Sequence, residues 1–155
     1  MDDATLGNLQ RAMFQYFVKE TNPANGMVAD NTRLGSHASI AAIGSALTAY
    51  TIGVERGYTT RAVAIERTLT TLRFFQDSEQ SEEADATGYK GFYYHFLFMD
   101  TGRRAWKSEL STVDSAFLLA GMLAAAAYFD GAASEEREIR AIAEDCTRGL
   151  TGSGC

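Results

Sequence analysis

Ser39-Ile40-Ala41-Ala42-Ile43-Gly44-Ser45-Ala46-Leu47-Thr48-Ala49-Tyr50-Thr51-Ile52-Gly53-Val54 contains no charged residue and is built mainly from small and aliphatic side chains. A surface helix needs a polar face at the 3.6-residue period, and this stretch has none, so it reads as a closely packed helix buried on most sides. Glu55, Arg56 and Gly57 end it. A second segment of the same kind follows Ser111 or Thr112, either of which can start a helix, and is apolar all round from Ala116 to Phe129.

Between and around these lie amphipathic segments. Leu6, Leu9, Met13, Phe14 and Phe17 recur at three- and four-residue steps, predicting a first helix over Leu6–Val18 with one buried stripe. The turn residues Asn22-Pro23-Ala24-Asn25-Gly26 break it, and polar sequence continues to about Arg33. Thr59 or Thr60 can cap a third helix, where Ala62, Ile65, Leu69 and Leu72 form a stripe opposite Arg61, Glu66 and Arg73. Ser134 with Glu135 and Glu136 opens a fifth, with Ile139 and Ile142 inside. An acidic loop, Asp77 to Asp85, precedes Gly91-Phe92-Tyr93-Tyr94-His95-Phe96-Leu97, whose aromatic density suits an extended strand, an aromatic ledge or plain core.

The order is outer, inner, outer, inner, outer. That alternation is what a double-layered helical barrel needs, because its inner ring packs on both sides while its outer ring meets water; an ordinary helical bundle is the alternative. Repeats at a fixed helical-solenoid period are not evident. The fold class is therefore all-α.

The chain has 155 residues, 46% of them apolar, a single Pro and a net charge of −6, enough for one core and acidic enough to disfavour nucleic acid as a partner. A neutral ligand fits better. The apolar run Phe117 to Phe129 is too short to cross a bilayer, so no membrane partner is expected, and no export signal opens the chain. Cys146 and Cys155 give neither a disulfide framework nor a metal pattern, and no phosphate-binding loop, dinucleotide fingerprint or serine-hydrolase elbow is present. No cofactor is expected.

Several segments in order resemble the glycoamylase-like family, which includes endo-acting β-1,2-glucanases: Phe14-Gln15-Tyr16-Phe17, the loop Asn22 to Asp30, Ser39-Ile40-Ala41-Ala42-Ile43-Gly44, Ile52-Gly53-Val54-Glu55-Arg56-Gly57, Gly91 to Leu97, and Ser108-Glu109-Leu110-Ser111-Thr112-Val113-Asp114. The resemblance implies the amino-terminal part, about five helices, of an (α/α)6 barrel with an acidic sugar-binding cleft at one end. It implies an oligo- or polysaccharide, a β-glucan, as partner, and family members are often exported to the periplasm. A terpenoid-cyclase-like toroid ranks below it for lack of an Asp-rich metal motif.

The last ten residues, Cys146-Thr147-Arg148-Gly149-Leu150-Thr151-Gly152-Ser153-Gly154-Cys155, depart from the family, which there tends to read Leu-Tyr-x-x-Val-Asp-Trp-x-Trp. Permitted codons for this tail, read one base earlier, spell Leu-Tyr-Pro-Arg-Val-Asp-Trp-Gln-Trp. The expected organisation is thus a partial helical domain over 1–145 and a frameshifted tail over 146–155.

Glycosidases place two carboxyl groups across the scissile bond, about 5 Å apart for retention and about 6.5–9.5 Å for inversion. Glu109 and Asp114, just before and within the first turn of the fourth helix, are the candidate catalytic residues, and the resemblance places a sugar-contacting carboxylate at Asp114. The competing reading of Asp114 is a capping box with Ser111, and that of Glu109 is an ion pair with Arg103 or Arg104. Tyr93, Tyr94, His95 and Trp106 are candidate sugar contacts because pyranose C–H faces stack on rings, with core packing as the alternative. Trp106, beside Arg104 and Lys107, is the preferred one, and one histidine in this cluster makes no metal site. Asp30 and Arg33 match polar family positions at the cleft end; otherwise they form a solvated turn. If the barrel is incomplete, its apolar helix faces invite self-association, and a non-enzymatic carbohydrate-binding or self-associating module is the rival to an inactive hydrolase fragment.

Overall fold

The computed structural model describes residues 2–148 and contains five helices: α1 (Asp3–Lys19), α2 (Ile40–Glu55), α3 (Arg61–Asp77), α4 (Thr112–Tyr128) and α5 (Ser134–Arg148). Five short strands lie in the connections, β1 (Ala38–Ser39), β2 (Gly88–Tyr89), β3 (Phe92–Tyr94), β4 (Phe96–Leu97) and β5 (Leu110–Ser111). The expected tail falls outside the described residues from 149 onward; residues 146–148 continue α5 without a break, and Cys146 packs against the core.

Local chemistry sets the helix ends. The Asp2 carboxylate accepts the Thr5 N–H at 2.8 Å, Thr60 Oγ1 accepts that of Val63 at 3.3 Å, and Ser111 Oγ that of Asp114 at 3.2 Å. Gly57, at φ 68°, lies just past the end of α2 in a conformation that favours glycine.

α2 and α4 form the inner pair, and their crossing is close because glycines face each other. A Cβ on Gly44 would lie 2.7 Å from the Phe117 carbonyl carbon, and one on Gly121 would lie 2.7 Å from Gly44 Cα. Ile43, Leu47, Tyr50, Leu118 and Met122 are buried around this crossing. α3 and α5 pack on the pair from outside, and α1 packs on α2.

One staple fixes the end opposite the strands. Arg61 at the start of α3 holds Glu136 of α5 with two hydrogen bonds, 3.0 and 2.8 Å, while its guanidinium lies over Tyr128 and Phe129 at the end of α4. Glu136 also accepts the Gly131 N–H at 2.7 Å.

Three buried stripes differ from those the sequence implies. On α3 the inner residues are Ala64, Thr68, Leu69, Thr71, Leu72 and Phe75, so Ala62 is exposed and the face is rotated toward two threonines. On α1 only Phe14 is buried, with Leu6, Leu9 and Met13 left open. α4 is not buried all round: Leu118, Leu119 and Met122 face inward, whereas Val113, Phe117 and Leu123 are 64%, 57% and 51% exposed. Each open face lacks a packing partner among the described residues.

Candidate functional site

The aromatic segment 92–97 joins the starts of both inner helices. β4 pairs antiparallel with β1, which runs directly into α2, and β3 pairs with β5, which runs directly into α4. At the junction His95 accepts the Ile40 N–H on its carbonyl at 3.2 Å and donates its own N–H to the Glu109 carbonyl at 3.0 Å. Residues distant in sequence thereby meet at one end of the inner pair.

There the His95 Nδ1 lies 2.8 Å from Glu109 Oε1 and 3.7 Å from Asp114 Oδ2. The imidazole is fixed from behind by stacking on Phe96, with centroids 3.8 Å apart and planes 16° apart. Asp114 is half-buried in the first turn of α4, where Ser111 Oγ donates to its Oδ2 at 2.5 Å and accepts its N–H. The capping geometry is therefore real, and the same carboxylate still faces His95. Glu109 is exposed, and its acidity is increased first by a hydrogen bond from its own backbone and then by His95. It does not pair with Arg103 or Arg104: Arg103 binds Asp85 and Glu79, and Arg104 donates to the Ser108 carbonyl and covers the Tyr94 ring.

The ligand-type atoms of His95, Glu109 and Asp114 lie within 4.8 Å of one another, a set compact enough to surround one cation. The count of histidines had not suggested it. Its position over the amino-terminal turn of α4 opposes cation binding, since the helix dipole is positive there. The same closeness bears on acid–base chemistry. Oxygens of Glu109 and Asp114 approach within 4.8 Å, close to the about 5 Å of a retaining pair, and both engage one imidazole, so the three groups form one wall.

An aromatic run leads away from this wall. Trp106 is 61% exposed, edge-on to Phe96 with centroids 5.7 Å apart, and packed 4.0 Å from the His37 ring, which in turn lies 5.4 Å from Phe98. Trp106 and His95 are thus members of one ledge that also contains Phe96, Phe98 and His37. Sequence reasoning missed His37; the only signal for it was its place immediately before the charge-free helix.

The remaining candidates separate. Tyr93 is 3% exposed and packs edge-on against Phe75, so its ring is core and cannot stack on a ligand; burial raises its hydroxyl pKa. Its neighbour Tyr94 is half-buried under Arg104. Asp30 and Arg33 occupy an exposed loop closed by an Asp30 N–H to His37 carbonyl bond of 2.8 Å and an Asn31-centred turn. That loop carries His37 to the ledge, while neither Asp30 nor Arg33 has a contact with Glu109 or Asp114 among the described residues. A cavity of about 660 Å3 between α3 and the 99–103 turn, lined by Arg73, Phe74, Asp77 and Arg103, includes none of the candidates.

The helix order and the stitched inner-helix ends have the fold of glycoamylase-like (α/α)6 toroid enzymes, of which this chain contains five helices. No protein-family model matches the chain. It is 27% identical over 146 residues to an exo β-1,2-glucooligosaccharide sophorohydrolase of Parabacteroides distasonis, an alignment covering 90% of this chain and 19% of that protein. Among solved structures, a Bacteroides uniformis protein provisionally assigned as a glucoamylase superposes with TM-score 0.80 and 30% identity, covering 97% of this chain and 36% of its own. The endo-β-1,2-glucanase of Chitinophaga pinensis, solved with sophorotriose and glucose, gives TM-score 0.81 and 20% identity, covering 97% and 37%. The chain thus spans well under half the length of each of these relatives.

Proposed function

We propose that this chain forms the amino-terminal part of a glycoside hydrolase domain acting on β-glucan, specifically β-1,2-linked, and that on its own it binds sugar without cleaving it. The observation that carries this is the wall of Glu109, His95 and Asp114 at the opening of an inner helix, continued by an exposed aromatic ledge. Likeness to proteins that act on β-1,2-linked glucose supports the linkage. In this reading Asp114 and His95 hold sugar hydroxyls by hydrogen bonds, the ionised Glu109 orients His95, and Trp106 stacks on a pyranose face. A second carboxylate facing the wall across the scissile bond would complete the chemistry.

Titration calorimetry of the purified chain with β-1,2-glucooligosaccharides tests this. Saturable binding is expected, weakened about tenfold in Asp114→Asn and in Trp106→Ala, as loss of a buried hydrogen bond or a ring stack predicts. No binding to the folded chain, or unchanged affinity in both variants, would overturn the sugar reading. Reducing-sugar release from β-1,2-glucan by this chain would overturn the claim that it only binds.

A second reading is favoured by a separate observation. Leu6, Leu9 and Met13 of α1, Ile52 of α2 and Val113, Phe117 and Leu123 of α4 are all exposed, which suits self-association of copies of the chain.

A further inference from the structure

Trp106 has φ of 50°, a left-handed conformation that bulky side chains rarely adopt. It sits at the first central position of the turn Ala105–Ser108, closed by the Ser108 N–H to Ala105 carbonyl bond of 3.1 Å, where glycine or asparagine is the ordinary occupant. The turn is over-determined: the Ala105 N–H and the Ser108 hydroxyl both donate to the Phe96 carbonyl, at 2.9 and 3.1 Å, and Arg104 Nε donates to the Ser108 carbonyl at 2.8 Å. The strain is spent on presenting an exposed indole. Despite its contacts with His37 and Phe96 the ring stays 61% exposed in this posture, and a strained posture that leaves most of an indole in water calls for a role outside the fold.

His37 holds that indole from the other side. The pairing of Ala38 with Leu97 places His37 across from Phe98, and its ring packs on Trp106 at 4.0 Å and on Phe98 at 5.4 Å. The ring is half-buried, and the Asp30 N–H fixes its backbone carbonyl. We propose that His37 is a positioning residue that locks the Trp106 ring, so that Trp106 and Phe98 form an outer sugar subsite beyond the wall at His95. This rests on the sugar-binding reading above and adds to it a direction: the bound glucan runs from Glu109 and Asp114 out along the ledge toward the 30–37 loop.

Trp106 is the only tryptophan in the chain, so its emission reports on this ring alone. The experiment compares wild type, His37→Ala, His37→Phe and Phe98→Ala by circular-dichroism melting, by acrylamide quenching of Trp106, and by affinity for the disaccharide sophorose against longer β-1,2-glucooligosaccharides. His37→Ala is expected to melt cooperatively, to expose Trp106 to quencher, and to weaken the longer ligands about three- to tenfold while leaving sophorose unchanged, with His37→Phe restoring both properties. Phe98→Ala should weaken only the longer ligands. Unchanged quenching in His37→Ala would overturn the positioning role whether or not sugar binds. Equal loss for short and long ligands, or none in Phe98→Ala, would overturn the outer subsite. If the wild-type chain binds no β-1,2-glucan at all, the functional reading fails and the subsite with it, while the quenching comparison still decides the role of His37.

Discussion

Replacing Gly44 by alanine sets two effects of opposite sign against each other, and the structure says which wins. In a helix interior alanine is favoured over glycine by about 1 kcal/mol, so propensity alone predicts a more stable protein. At Gly44, however, the added Cβ would sit 2.7 Å from the carbonyl carbon of Phe117 and 2.8 Å from Leu118 Cα, and at Gly121 it would sit 2.7 Å from both the carbonyl carbon and the Cα of Gly44. Carbon atoms pack at roughly 3.5–4.0 Å, so α2 and α4 must part by about 1 Å. The obstacles are backbone atoms, which no rotamer change can remove. Parting the helices strips dispersion contacts from Ile43, Leu47, Leu118 and Met122, all of them buried. Overpacking costs roughly 1–3 kcal/mol, and against backbone that cannot move aside the upper end, about 3 kcal/mol, applies, leaving a net loss of about 2 kcal/mol for each variant after the propensity gain. For a chain of this size that lowers Tm by about 4–8 °C. Because both substitutions demand the same separation, the double variant should lose less than the sum. Gly7, half-buried in α1 but with nothing within 4 Å of an added Cβ, is the control and should gain stability as alanine. Urea unfolding followed by circular dichroism measures all four; Gly44→Ala or Gly121→Ala matching or exceeding wild type would refute the close crossing.

Two further outcomes follow from other parts of the structure. The Glu136 carboxyl is held below the usual glutamate range, chiefly by Arg61, so its contribution is complete above the ordinary value of 4.5 and is lost as pH falls below it. Glu136→Gln should therefore flatten the acid limb of the stability curve and cost about 1–2 kcal/mol near neutrality, between an exposed and a buried pair because Arg61 is 39% exposed and keeps access to water; an unchanged acid limb would dismiss the staple. Sedimentation velocity over a concentration series should show association that Phe117→Glu suppresses, and a wild-type monomer throughout the series would refute the self-association reading.

The inner helices and the helix caps were legible because their signals are local. A charge-free run such as residues 39–54 states by itself that water is excluded, and Thr60 and Ser111 cap through bonds only three residues long. The face of α3 was misread for an equally local reason. Thr71 satisfies its hydroxyl on the Arg67 carbonyl of its own helix at 3.2 Å, so it packs inward as if apolar, and a reading that ranks residues by polarity turns the helix the wrong way. Tyr93 and Tyr94 show the limit of composition in a strand: adjacent and alike, they point to opposite faces, and the register that sends Tyr93 to the core is set by its pairing with Ser111.

The site was legible as a list and illegible as an arrangement. Glu109 and Asp114 could be named from their place at the start of α4, but their shared contact with His95 depends on β3 pairing with β5, and the contact of His37 with Trp106 depends on β1 pairing with β4. Each pairing is only two residues long, too short to leave a periodic trace, and each closes a connection of many residues. Only the structure reveals the backbone cost at one of these joints, a tryptophan at φ 50° where glycine is the ordinary occupant. Nothing local favours Trp106 in that turn, so the four hydrogen bonds that bind the turn to itself and to Phe96 offset the strain of holding an exposed ring against His37 and Phe96.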